Sequence, residues 1–226
     1  MSQVVTLSIF KYRGFQSKAW AFGMMQFAHH HLKKAEGCDF YKLLGSGKEG
    51  FNPLPDWSVY SVLQVWKNEA VANDFIQNSQ LFKNYLKHSS SHTILYMKSI
   101  QARGQWSGSN PFKMDDIEVK DKKIAVITRA SIKWSKLFTF WKFVPESQKP
   151  LSNAKGLCYT KGFGEVPFKE MATFSIWNSK DDLFNFAYQS KEHVEAIKKT
   201  RSIDWYSEEM FSRFVIDKKI GNYVQF

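Results

Sequence analysis

Apolar and polar positions alternate from Val4 to Phe10, the pattern of a strand rich in β-branched residues. The period then lengthens. Ser17 can cap a helix that runs from Lys18 through Trp20, Phe22, Met24, Met25 and Phe27 to about Lys34, with Gly37 to end it. Asp39 to Leu44 reads as a short strand leading into the glycine pair Gly45-Ser46-Gly47, and Gly50 to Asp56, with Pro53 and Pro55, reads as a loop. Val59 to Trp66 predicts a strand, Glu69 to Lys87 a helix and His92 to Gln101 a strand. The same order returns downstream: strand Ile124 to Ile132, helix Ser135 to Pro145, strand Leu157 to Lys161, strand Met171 to Trp177, helix Lys180 to Arg201 and strand Glu209 to Ile216. Each half is therefore β-α-β-β-α-β, the ferredoxin-like arrangement. The expected fold is α+β, with two ferredoxin-like repeats (about 1–103 and 122–226) closing into a dimeric α/β-barrel type of fold within one chain. On this reading residues 1–226 form a single pseudo-symmetric domain, with a linker at 104–121 that Trp106 and Phe112 can anchor.

The two halves also match residue by residue. A separation of 111 relates Trp66 to Trp177, Phe75 to Phe186 and Phe82 to His193. The second glycine pair, Gly162-Phe163-Gly164, answers the first. In the last long helix Leu183, Phe186, Ala187, Ser190, Val194 and Ile197 form one apolar stripe, and His193 lies on it. A neutral imidazole facing an apolar cavity suits the axial position of a haem iron. A core histidine bonded to a backbone carbonyl has the same pattern, and spacing alone leaves both open.

The other motifs carry less chemistry. His29-His30-His31 are consecutive on a helix, fan out by about 100° each and do not converge on one ion. His88 and His92 flank Ser89-Ser90-Ser91 at a helix end and lack a further zinc ligand. Gly45-Ser46-Gly47-Lys48 is followed by prolines rather than by the helix a phosphate loop needs, so a close backbone approach explains it better. No Gly-x-Ser-x-Gly elbow is present, and Glu165 beside Gly164 and Pro167 reads as a loop carboxylate.

Composition sharpens this picture in three places. The 16% aromatic content fits a Phe-rich core or a large apolar cavity. The net charge of +11 is spread as 13 basic and 6 acidic residues in 1–113 and 19 and 15 in 114–226, without an arginine stripe, which argues against nucleic acid and leaves attraction to anionic lipid as a secondary role. Cys38 and Cys158 form neither a disulfide framework nor a metal motif. The N-terminus lacks signal-peptide features and no apolar stretch reaches the roughly 18 residues of a membrane span. The expected location is cytoplasmic, free or peripheral to the inner face of the membrane, as monomer or homo-oligomer.

Longer blocks resemble the spheroidene monooxygenase family, the acyclic carotenoid 2-ketolases. They include Thr6-Leu7-Ser8-Ile9-Phe10, Ala19-Trp20-Ala21-Phe22-Gly23-Met24-Met25 and Lys42 to Gly47 with Gly50-Phe51. Further blocks are Ala102 to Gly108, Pro111-Phe112, Thr128-Arg129-Ala130, Gly162 to Pro167 and Thr173 to Trp177. His193 to Ile197, Trp205, Glu208-Glu209 and Ser212-Arg213-Phe214 complete the set. The resemblance spans almost the whole chain, although lysine, phenylalanine and asparagine stand where the family favours arginine and alanine. It implies a haem b oxygenase with His193 as axial ligand. Arg103 and Arg129 are then candidates for propionate pairing or distal catalysis, and Trp20, Phe22, Met24 and Met25 for the apolar substrate pocket. The implied reaction hydroxylates an allylic carbon twice, and the gem-diol loses water to a ketone; the electron donor stays open. Aldoxime dehydration or peroxide-driven oxidation in the same barrel, a cofactor-free oxygenase, and a haem or lipophile carrier are the alternatives.

Overall fold

The computed structural model describes residues 2–49, 52–148, 151, 154–189 and 203–226. Its strands are β1 (Val4–Lys11), β2 (Cys38–Lys48), β3 (Asn52–Trp66), β4 (Ser91–Gly104), β5 (Ile124–Ile132), β6 (Leu157–Val166), β7 (Glu170–Trp177) and β8 (Tyr206–Gly221). All pair antiparallel and close into a barrel in the order β1-β3-β2-β6-β7-β5-β8-β4. Helices α1 (Phe15–Leu32), α2 (Glu69–Asn78) and α3 (Gln80–His88) belong to the first half, and α4 (Leu137–Gln148) and α5 (Lys180–Gln189) to the second. This is the expected α+β barrel of two ferredoxin-like repeats.

Alternation along the strands divides the side chains between two environments. Leu7, Ile9, Leu63, Leu95, Met97, Ile127, Phe174 and Phe214 point into the barrel and form its central core. Val4, Phe10, Tyr60, Val62 and Trp66 point outward and pack under the helices of the first half. The 104–121 segment is tied to the barrel interior, because Trp106 and Phe112 are buried there, Phe112 edge-on to Phe214 at 5.0 Å and Trp106 edge-on to Phe40 at 5.8 Å.

The duplication is visible in the packing. Trp66 pairs with Val4 at the start of β1, and Trp177 with Ile124 at the start of β5. The two indoles donate to a sheet hydroxyl, Trp66 to Thr6 and Trp177 to Ser175. Each also holds an aromatic ring from the following helix, Phe75 at 5.0 Å and Phe186 at 5.1 Å.

Several boundaries differ from expectation. Helix α1 starts at Phe15 behind Gly14, whose φ of 73° breaks the extended chain without a side-chain cap, so Ser17 lies inside the first turn. The single helix expected over 69–87 is two helices. Ser79 is extended between them, with its N–H on the Phe75 carbonyl and its hydroxyl accepting from the Phe82 N–H. The loop expected before Val59 is strand from Asn52. Pro53 and Pro55 are tolerated because β1 pairs only from Val59 onward, which leaves this stretch with one partner, β2.

Both glycine pairs lie within strands and meet at the seam between the halves, where Gly45 pairs with Gly164 and Ser46 with Phe163. Register shifts accompany both pairs, as in β-bulges. A methyl group on Gly47 would stand 2.4 Å from the Asn52 carbonyl oxygen. Gly47→Ala is therefore expected to lower unfolding free energy by about 1–3 kcal/mol, read by denaturant titration against wild type; an unchanged midpoint would show that the bulge yields freely.

Candidate functional site

The shared registers allow the outer faces of the two half-sheets to be compared position by position. Ser8 pairs with Val62 as Thr128 pairs with Thr173, and Phe10 with Tyr60 as Ala130 with Met171. Tyr41 pairs with Gln64 as Thr160 with Ser175, and Leu43 with Val62 as Gly162 with Thr173. Along this face the second half replaces Phe10 by Ala130, Tyr41 by Thr160, Leu43 by Gly162, Val62 by Thr173 and Gln64 by Ser175. The first half has one large cluster beneath its helices, with Phe10, Leu43, Tyr60, Val62 and Trp66 in contact with Leu81, Phe82 and Tyr85. In the second half two smaller described clusters flank the strip of small residues. Ile124, Val126, Trp177, Leu183 and Val215 stand at one end, and Ile132, Phe140, Met171 and Trp205 at the other. Ser8 is fully buried, whereas Thr128 at the equivalent point is exposed in mid-strand.

Arg213 reaches this face from β8, where it pairs with Val126. Its guanidinium lies 4.6 Å from the Phe184 ring centre and 5.1 Å from that of Phe211. Its Nε is buried with no hydrogen-bond partner among the described residues. A half-buried guanidinium beside two rings suits a carboxylate-bearing planar ligand. In the sequence Arg213 stands out only within the block Ser212-Arg213-Phe214; its outward parity on the last strand is the further signal.

Arg129 sits on the other side of the sheet, buried inside the barrel. It donates to Glu170 and Glu208, and Glu165 stands 3.9 Å away. Lys42 pairs with Glu165 and donates to the Ser107 hydroxyl at 2.6 Å. The Trp106 indole donates to Glu165 at 2.6 Å, and the Ser107 and Gly108 N–H groups donate to Glu208 at 3.1 and 2.6 Å. Lys169 lies 3.1 Å from Glu170 and Ser131 donates to it at 2.7 Å. Three cations thus face three carboxylates, and the cluster clamps the linker to the barrel. Burial pushes the Glu170 carboxyl up, but hydrogen bonds from Ser131 and Lys169 and the Arg129 charge outweigh it and hold the group below its ordinary range. Glu208 is likewise raised by burial and lowered further by the Gly108 and Ser107 N–H groups and by Arg129. Glu165, expected to be a loop carboxylate, is a member of this network in β6.

The remaining expected site residues are dispersed. Arg103 is exposed near the end of β4 and pairs with Phe211, opposite in parity to buried Ala102, so it shares the outer face with Arg213 rather than the interior with Arg129. Trp20, Met24 and Met25 pack into the first-half cluster, with Trp20 stacked on His88 at 4.2 Å. Phe22 is 57% exposed and edge-on to Trp57. The apolar face of α1 thus fills the layer over large first-half side chains. His29 meets the Tyr41 hydroxyl at 3.0 Å and His30 the Lys34 amine at 3.1 Å, so the histidine run does fan apart. His193 lies outside the described residues. Two surface hollows of about 310 and 240 Å³ sit beside α5 and at the start of α2, away from the middle of the strip.

The fold class agrees with solved structures. The chain is similar to an aldoxime dehydratase in complex with butyraldoxime, with a TM-score of 0.64 at 10% identity over 95% of this chain and 79% of that one. A second aldoxime dehydratase matches with a TM-score of 0.58 at 11% identity over 97% and 84%. At such identities the likeness concerns the fold alone. No family model matches the sequence. Curated relatives define it more narrowly. A spheroidene monooxygenase of Cereibacter sphaeroides is 34% identical over 98% of this chain and 69% of its own length. That of Rhodobacter capsulatus is 33% identical over 93% and 89%, and that of Rubrivivax gelatinosus 32% over 88% and 77%. The chain belongs to the spheroidene monooxygenase family.

Proposed function

We propose that this chain is a haem-dependent monooxygenase that oxidises a long apolar substrate such as an acyclic carotenoid over the small-residue strip of its second half. The observation that carries the reading is the replacement of large by small side chains along that strip, in a chain of this family. By the 111-residue offset His193 corresponds to Phe82, and Phe82 packs edge-on against Phe10 at 5.7 Å. Phe10 is the counterpart of Ala130. The correspondence in sequence supports His193 as the residue that would hold the haem iron through an imidazole nitrogen.

Bound haem would supply the redox chemistry that activates dioxygen. The chain's own residues would do the rest. Ala130, Gly162, Thr173 and Ser175 admit a flat ring close to the sheet. Arg213 offers the guanidinium for its carboxylates, a role that its flanking rings fit better than Arg129, whose Nε is equally unpartnered but whose terminal nitrogens glutamates already engage. Ile124, Val126 and Trp177 at one end and Ile132 and Phe140 at the other keep water from the reacting carbon. Overall, one oxygen atom of dioxygen enters a C–H bond and the other leaves as water, with two electrons and two protons drawn from a reductant and solvent.

The test is the absorption spectrum of protein expressed with haem precursor, beside His193→Ala. The expected result is a Soret band in the wild type that is lost or shifted in the variant, and turnover of an acyclic carotenoid with reductant and oxygen. An unchanged band in the variant would move the ligand elsewhere, and no band in either protein would remove haem from the proposal.

A further inference from the structure

We propose that the surface formed by the start of α4 and the β6–β7 hairpin docks on an anionic lipid bilayer. Trp134 is 71% and Phe138 84% exposed, and one turn along α4 from Phe138 stands Trp141. The hairpin tip adds exposed Val166 and Phe168, with the Phe168 ring 6.1 Å from that of Trp141 and its carbonyl accepting from the Trp141 indole at 2.9 Å. Phe168 takes a φ of 67°, a conformation a bulky side chain rarely adopts, and this turn holds its ring at the surface. Trp134 and Phe138 project from the start of α4 and Phe168 from the hairpin, and Trp141 joins the two elements through its contact with Phe168.

Cations surround them. The stretch from Ile132 to Glu146 holds Lys133, Lys136 and Lys142 against the single acidic Glu146, and Lys133 is ion-paired with Asp204. Lys169 lies 5.4 Å over the Trp134 ring. Exposed tryptophan and phenylalanine bordered by Lys136 and Lys142, with Lys169 shared with Glu170, match the two layers of an anionic membrane surface, with rings at the acyl boundary and ammonium groups among phosphates. A second exposed aromatic group, Phe15, Phe22 and Phe27 with Trp57, lies on the first half. Arg13, Lys18, Lys33 and Lys34 stand in or beside helix α1, so charge alone does not separate the two surfaces; the position of the α4 surface beside the small-residue strip does. No described helix is long and apolar enough to cross a membrane, so the contact is with the surface. Trp141 and Phe140 also pack with Met171 and Trp205 at one end of the small-residue strip, which places the docking surface beside the proposed substrate site.

The inference rests on this surface and not on the cofactor, and its test needs no turnover. Sedimentation with phosphatidylglycerol–phosphatidylcholine vesicles should capture the full chain, and binding should fall steeply with salt. Trp134→Ser with Phe138→Ser should weaken partitioning at least about tenfold, and Lys136→Glu or Lys142→Glu about fivefold or more each. Phe22→Ser, an equally exposed loss on the other half, should change it little. Circular dichroism checks that the variants fold, and brominated lipid should quench wild-type tryptophan fluorescence more than that of Trp134→Ser. Equal binding by the Trp134/Phe138 variant, no binding to anionic vesicles, or a surface that instead holds two copies of the chain together in analytical ultracentrifugation would each overturn the proposal.

Discussion

Ala130→Phe is expected to weaken ligand binding at the small-residue strip while leaving the barrel folded. The substitution restores the first-half residue at this point, since Ala130 pairs with Met171 as Phe10 pairs with Tyr60. In the first half that phenylalanine stacks on Tyr85 at 5.0 Å and meets Phe82 edge-on, filling the space between sheet and helices. A ring added on the outer face should clash with anything bound there by about 1–3 kcal/mol, a loss of roughly 5- to 150-fold in affinity. Haem titration followed at the Soret wavelength measures it, with circular dichroism and a thermal melt as controls on folding. Unchanged affinity would place the ligand away from this face. The converse variant, Phe10→Ala, should open a cavity in a packed cluster and cost about 3–5 kcal/mol of stability without creating a binding site.

The second large effect concerns the interior cluster. Arg129→Ala should destabilise the protein by about 3–5 kcal/mol, because it leaves Glu165, Glu170 and Glu208 facing one another in the barrel without their central cation. For a chain of this size that is a fall in Tm on the order of 6–20 °C. Arg129→Met together with neutral glutamine at Glu170 and Glu208 should recover part of the loss, because no unpaired charge then stays buried. The pH profile tests the same cluster. Glu170 and Glu208 have folded pKa values below the usual 4.5, so their contribution is complete above that value and is lost as pH falls through the depressed folded values. Wild-type stability should therefore drop on acidification below about 4.5, and Arg129→Ala should show a shallower acid limb. Parallel limbs in the two proteins would mean that the arginine does not hold these carboxylates ionised.

Residue pattern alone determined the architecture. Strand alternation, the helix stripes and the 111-residue repeat are local or pairwise properties of the chain, so the two β-α-β-β-α-β units could be read without coordinates. Trp66 with Phe75 and Trp177 with Phe186 return as the same contact because each pair is set by a strand and the helix that follows it. The glycine pairs were legible as close approaches, but not that they face each other across the seam, since Gly45 and Gly164 are distant in sequence. Ser79 defeated the single-helix expectation because a hydroxyl that caps a new helix competes with continuation of the old one.

Tertiary structure decided which face each candidate occupies. A closed barrel gives every strand an inside and an outside, and parity then sends Arg129 inward to three glutamates and Arg213 outward between two rings. The same closure gathers Lys42, Trp106, Glu165, Glu170 and Glu208 from distant segments into one charge cluster. The small-residue strip became visible only when register made Ala130 the counterpart of Phe10 and Gly162 the counterpart of Leu43, at offsets that differ from the 111 read along the chain. Sequence spacing specifies elements because their periods are local; a site built across strands depends on register and handedness, which the closed sheet alone supplies.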